Sequence, residues 1–104
     1  MKYFLVISTT SSLKEARKIA DVLLKKKLAA CIQLIPAMES HYVWKGKRER
    51  SKEVLILIKT KASLYQKLEI AIRKIHSYET PEIIALPIQK GNQAYFKWIS
   101  DSTS

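Results

Sequence analysis

The side chains in this chain that could hold a soft metal ion are few and scattered: Cys31, His41, His76, Met38 and Met1. Copper prefers thiolate, thioether and imidazole donors. No C-x-x-C, H-x-H or H-x-x-x-H spacing occurs, so no single element presents two strong ligands. A metal site would have to be assembled from several elements or several copies of the chain. His76 is the best single candidate. Its competing role is to close a helix, where a protonated imidazole meets the negative end of the dipole. Cys31 stands at the entrance to an apolar strand and reads first as a small buried hydrophobe. His41 reads as a strand-face residue and Met38 as packing. Glu79 and Glu82 flank Pro81. Two carboxylates can share acid–base work when their pKa values are driven apart. No nucleophile or phosphate-binding loop accompanies them, so pairing with a basic group such as Lys59 is the simpler role.

Tyr42, Trp44, Tyr78, Tyr95 and Trp98 are many aromatics for a small surface. Tyrosine and tryptophan are enriched as anchors of protein interfaces. Tyr42, Trp44, Tyr95 and Trp98 are therefore expected to serve assembly. Trp44, Lys59, Tyr78, Glu82 and Trp98 are expected to line a cleft between subunits, suited to a small anion or a metal complex.

The elements that must position these groups follow from periodicity. Tyr3 to Ile7 is continuously apolar and ends at the polar cluster Ser8 to Ser12, which suits a central strand buried on both faces. Ser12-Leu13-Lys14-Glu15 has the capping-box pattern, and Leu13, Ala16, Ile19, Ala20, Leu23 and Leu24 recur at helical spacing. The stretch Leu28 to Lys61 reads as a long hairpin. One arm runs from Ala29 to Ile35 and resumes at Ser40 to Trp44, the turn is Lys45-Gly46-Lys47, and the other arm contains Val54 to Ile58. Ser63-Leu64-Tyr65-Gln66 has a second capping-box pattern before a helical stripe of Leu64, Leu68, Ala71, Ile72 and Ile75. His76 to Pro81 is a loop, because proline bars helix continuation. Ile83 to Ile88 is a strand, and Gly91-Asn92 caps a short last helix carrying Tyr95, Phe96, Trp98 and Ile99.

The order is β-α-β-β-α-β plus a terminal helix, an α+β, ferredoxin-like split βαβ sandwich spanning residues 1–104 as one domain. Proline donates no ladder hydrogen bond and is confined to edges, strand starts and bulges. Pro36, Pro81 and Pro87 fall in or beside the second and fourth strands, so these are edges and the antiparallel sheet order is 4-1-3-2. Each hairpin arm could exceed a typical strand of about 5–6 residues. A ribbon that protrudes exposes edges that must be covered. Another copy of the same chain is the expected cover.

Composition sets the outer bounds. The 104 residues suit one core, and a hydrophobic content of 47% argues against disorder. One cysteine makes no intrachain disulfide. No apolar run approaches the roughly 18 residues of a membrane span, and the start lacks a signal-peptide layout. A cytoplasmic protein is expected. The net charge of +10 favours anionic partners, or simply keeps a surface solvated. Ferredoxin-like RNA-binding modules need stacking aromatics on their central strands. Val54 to Ile58 has none, so nucleic-acid binding through the +10 charge ranks as the alternative function. A small hydrolase or transferase using Glu79 and Glu82 ranks third.

Several motifs resemble one family. Lys27-Leu28-Ala29-Ala30-Cys31 leading to Ile35-Pro36, Tyr42-Val43-Trp44-Lys45-Gly46-Lys47 and Ile58-Lys59-Thr60 are similar to signatures of the CutA divalent-cation-tolerance proteins. Tyr78-Glu79-Thr80-Pro81-Glu82-Ile83-Ile84-Ala85-Leu86-Pro87-Ile88, then Gly91, Tyr95 and Trp98, resembles its C-terminal signature. The resemblance covers nearly the whole chain. It implies a non-enzymatic homotrimer whose hairpins pair across subunits. It also implies a role in tolerance of divalent cations, copper in particular, with no metal required for the fold. Similarity of that trimer to the nitrogen-regulator PII proteins implies ligand-responsive signalling by analogy. Some bacterial members carry a metal-associated cysteine where this chain has Ser8, and two adjacent histidines where it has Ile75 and His76.

Overall fold

A computed structural model describes residues 2–104. β1 spans Tyr3–Thr10. It runs three residues beyond the polar boundary read from the sequence, and Ser8, Thr9 and Thr10 are all buried. Threonine suits a strand sterically, and the Thr10 hydroxyl donates to the Ser12 carbonyl at 2.9 Å, so polarity alone does not end the strand. The Ser8 hydroxyl is buried with no partner among the described residues.

α1 spans Leu13–Lys25, and the Ser12 hydroxyl accepts from the Glu15 N–H at 3.1 Å as expected of a cap. The reciprocal half of the box does not form. The Glu15 carboxylate instead accepts from the Ser77 N–H at 2.7 Å and from its hydroxyl at 3.0 Å. Ala16, Ile19 and Leu23 form the buried stripe of α1.

β2 (Cys31–Trp44) and β3 (Lys47–Lys61) are joined by Lys45-Gly46. Both turn residues have positive φ, 51° and 79°. That is the primed-turn geometry whose twist matches a hairpin, and it explains the glycine. β2 carries one extra residue near Pro36: Ile35 pairs with Leu55 but Met38 pairs with Glu53, and Ala37 takes φ 64°.

β1 pairs with β3 only from Val54 to Lys61, and with β4 (Ile83–Pro87) on its other side. The sheet order β2-β3-β1-β4 is the one the prolines indicate. Residues Lys47 to Glu53 of β3 have β2 alone as a neighbour, so the ribbon projects beyond the sheet. α2 spans Tyr65–Ile75 and follows a 3-10 turn at Ala62–Leu64. The capping box expected at Ser63 does not form. β3 runs on to Lys61, the Ala62 N–H is tied to the Lys2 carbonyl at 2.8 Å, and the tight turn absorbs Ser63.

Both helices pack on one sheet face, where Val6, Ile56 and Ile58 meet Ile19, Leu23, Leu68 and Ile72, all fully buried. By strand alternation Tyr3, Leu5, Ile7, Leu55 and Leu57 point to the other face. There α3 (Gln93–Asp101), capped by the Asn92 carboxamide, covers only one end. Phe96 stacks on Tyr3 at 4.5 Å between centroids and 2° between planes, and the Tyr3 hydroxyl lies 2.7 Å from that of Ser100. The rest of this face is open within one chain, so β1 is covered fully on one side only. Ile35, Ile84 and Leu86 remain exposed there.

Candidate functional site

The register places a row of chemically capable side chains on one face of the ribbon. Beyond the extra residue in β2, Met38, Ser40, Tyr42 and Trp44 share a face with their β3 partners Glu53, Ser51, Glu49 and Lys47. The Tyr42 hydroxyl lies 3.2 Å from that of Ser51, which fixes the ring along this face. The loop after α2 folds towards the same face, because the Tyr78 hydroxyl donates to Glu53 Oε2 at 2.7 Å. Between ribbon, loop and the end of β1 lies a cavity of about 800 Å³. Tyr42, Trp44, Tyr78 and His41 supply its rings, and Glu49, Glu53, Glu79 and Glu82 its carboxylates.

No lysine or arginine lines this cavity. Glu49, Glu79 and Glu82 make no ion pair among the described residues. The charge of the groove within one chain favours cations. Burial pushes the Tyr78 phenol above its ordinary pKa, and the bond to Glu53 pushes it further. It stays a neutral donor across the physiological range.

His76 stands at the C-cap of α2, as one of its two expected roles required, but not as a charged partner of the dipole. Its ring is fully buried. Nε2 lies 2.7 Å from the Thr9 carbonyl, which can only accept. Nδ1 lies 3.1 Å from the Tyr78 N–H, which can only donate. The partners thus define a neutral ring with its proton on Nε2. Both nitrogens are engaged, so His76 offers no free lone pair. It holds the loop that carries Tyr78.

The other expected cleft residues lie elsewhere in a single chain. The Lys59 ammonium group donates to the Gln33 side chain, not to Glu79 or Glu82. Trp98 packs on Tyr95 at 5.5 Å on α3, and both are half exposed. Tyr95 adjoins Cys31, and burial together with that thiol raises its phenol pKa. Trp44, Tyr78 and Glu82 therefore share a cavity, while Lys59 and Trp98 do not line it. Met1 lies outside the described residues. Among those described, no cluster of three His, Cys, Asp or Glu side chains could hold a metal ion. Glu49 and Glu53 escape a reading of the sequence alone. Their signal is the cross-strand pairing with Tyr42 and Met38, visible only once the bulge is placed.

The open sheet face lacks the stacking rings of an RNA-binding sheet. Leu5, Ile7, Leu55 and Leu57 are aliphatic, and Tyr3 is already covered by Phe96. Among the described residues no helix is long and apolar enough to cross a membrane.

A family of known proteins shares this architecture. The model of the family described as "CutA1 divalent ion tolerance protein" matches residues 4–102. "Divalent-cation tolerance protein CutA" of Thermus thermophilus is 39% identical over 98 residues, covering 94% of this chain and 95% of that protein. Mouse "Protein CutA" is 47% identical over 90 residues, covering 86% of this chain and 51% of that protein. The chain thus spans about half the length of the mammalian relatives it matches. Among solved structures, CutA1 from Oryza sativa superposes with a TM-score of 0.96 at 36% identity, over 100% of this chain and 95% of that one. The Thermus thermophilus protein gives 0.95 at 37% identity, over 98% and 99%.

Proposed function

The chain belongs to the CutA1 family of divalent ion tolerance proteins, and on that premise we propose that it acts in divalent-cation tolerance as a homotrimer that binds a divalent metal ion, copper among the candidates. The names of the family and of its relatives state no reaction. A binding and signalling role in the cytoplasm, without catalysis, fits them.

One observation carries the reading. In a chain of net charge +10, a groove of about 800 Å³ is lined by four glutamates, three aromatic rings and His41, with no lysine or arginine. A hydrated divalent ion, or a small complex of one, is drawn there by charge. The ligand set in one chain is incomplete. In the trimer, Lys59 and Trp98 of one copy approach Trp44, Tyr78 and Glu82 of the next and close the cleft. The bare apolar face around Ile35, Ile84 and Leu86 supports such assembly, because a sheet leaves no such face to water unless something covers it.

Calorimetry with Cu²⁺ and Zn²⁺, run beside sedimentation velocity, tests both parts. The expected result is a trimer whose divalent-ion heat is weakened by Glu49→Gln with Glu82→Gln. A monomer at micromolar loading removes the intersubunit cleft. An absence of heat with every divalent ion removes the binding.

A further inference from the structure

The helix layer holds a hollow of about 330 Å³ between the close of α1 and the length of α2. Lys67, Ile70, Ala71 and Lys74 follow the helical repeat, so they share one face of α2. The two lysines stand about 10.5 Å apart along the axis, the rise of seven residues. Lys26, the C-cap of α1, belongs to the other wall. That wall is pre-shaped. Lys27 takes φ 56°, its N–H donates to the Leu24 carbonyl at 3.0 Å, and the Leu28 N–H donates to the Leu23 carbonyl at 2.9 Å. A lysine persists in this left-handed closure only where its surroundings hold it. Ser104 closes one side, its N–H donating to the Lys27 carbonyl at 3.0 Å. Leu28, Leu64 and Ala71 form a buried floor, and Ile70 beside them is 53% exposed. No aspartate or glutamate lines the hollow. Among the described residues Lys26, Lys67 and Lys74 make no ion pair, with the terminal carboxylate of Ser104 or any other. Three like charges thus gather around an apolar floor without a counter-charge.

We propose that this hollow is a binding site for a small organic phosphate, a phosphomonoester with an apolar body. The phosphate meets Lys26, Lys67 and Lys74, and the body lies on Leu28, Leu64 and Ile70. Lysine serves phosphate as a compact point charge with three donors. A planar carboxylate is better matched by the arginine fork, and no arginine lines the hollow. The aliphatic stems of the lysines extend the apolar floor while their ammonium groups stay at the rim. An apolar lining with a few polar groups is the usual make-up of a small-molecule site, and the volume falls at the small end of that range. The hollow takes no residue from the ribbon or from the bare sheet face, so packing of copies through those surfaces leaves it open. Its charge is opposite to that of the acidic groove, and the two sites do not compete for one ligand.

Amide chemical-shift titration of the isotope-labelled protein with hexyl phosphate tests this, at about pH 8 where the ester is doubly charged. Shifts should cluster at the amides of Lys26 to Leu28 and Leu64 to Lys74. Affinity should be at least tenfold above that for inorganic phosphate and for hexanol, each of which supplies half of the contact. Tenfold corresponds to the burial of about two methylene groups. Changing Lys26, Lys67 and Lys74 together to glutamine should weaken binding at least tenfold, and Ile70→Ser should weaken it about threefold or more. The matched control changes Lys14, Arg17 and Lys18 to glutamine. These exposed residues at the start of α1 line no part of the hollow, so the control removes the same charge and should leave affinity within twofold. Equal losses in the two triple variants would reduce the effect to net charge and overturn the proposal. So would equal affinities for hexyl phosphate and inorganic phosphate, or shifts confined to the acidic groove. Cosedimentation with phosphatidic acid vesicles without any shift from hexyl phosphate would assign this face to a membrane surface and overturn it as well. All the altered positions are exposed, and matched thermal midpoints confirm that the variants fold.

Discussion

The Tyr78 hydroxyl donates to Glu53 Oε2 at 2.7 Å and so ties the loop after α2 to the root of the ribbon. The phenol has its pKa raised above 10, first by burial and then by Glu53. An unfolded chain loses this proton near pH 10, whereas the folded chain keeps it. The stabilisation is therefore complete below pH 10 and is lost as the pH climbs from there through the folded value. Tyr78→Phe should cost about 1 kcal/mol at neutral pH. Its stability should also fall less steeply than that of the parent above about pH 10. Urea unfolding on both sides of that pH measures the difference. Parallel curves would mean that the bond contributes nothing.

Glu15 is spent on the loop and not on its own helix. It accepts twice from Ser77 and lies 3.7 Å from His76 Nδ1. Glu15→Ala should cost about 1–3 kcal/mol, because it removes two hydrogen bonds from Ser77 to a charged acceptor. Hydrogen exchange at Ser77 and Tyr78 should accelerate more than at the α1 amides. Faster exchange in α1 alone would show that Glu15 serves as an ordinary cap.

Gly91 is required by close approach. A Cβ there would stand 2.6 Å from Cζ of Phe96, the ring that stacks on Tyr3. Gly91→Ala should destabilise by about 1–3 kcal/mol through overpacking. Combining it with Phe96→Leu should cost less than the sum of the two changes, since they act on one contact. Thermal unfolding of the four-member cycle reads this directly, and strict additivity would refute it.

Trp44 lies in the groove and is 40% exposed in one chain. If the cleft closes between copies, Trp44→Ala should weaken assembly by about 2 kcal/mol or more. That is about thirtyfold in the dissociation constant. Light scattering through a dilution series would show the trimer parting at higher concentration than the parent. An unchanged profile would place Trp44 outside the interface.

Much of the architecture is legible in the residues alone. Pro36 sits at the irregularity of edge strand β2 and Pro87 ends edge strand β4, so proline chemistry orders the sheet. Ser12 and Asn92 cap α1 and α3 because their side chains satisfy bare N–H groups wherever the flanking backbone allows. Ser63 has the same local pattern, but the tie between Ala62 and Lys2 overrides it, and no local pattern records a contact that distant. The site is only half legible. Trp44, Tyr78 and Glu82 meet, whereas His76 is drawn inward by the carbonyl of Thr9, a partner 67 residues away. Long-range hydrogen bonds of this kind leave no periodic trace.

The one surplus residue in β2 near Ala37 has a consequence for the whole ribbon. Side chains alternate strictly along a strand, so a single added residue reverses which parity faces which way. Odd positions Cys31, Gln33 and Ile35 look out from the open sheet, yet beyond the insertion it is even positions Tyr42 and Trp44 that do so. Deleting Ala37 would leave Ile35 and Met38 two positions apart, so plain alternation would keep Tyr42 and Trp44 on the face they hold now and every rung to the turn would survive. What the strand would lose is the local bend and added twist that aim the ribbon.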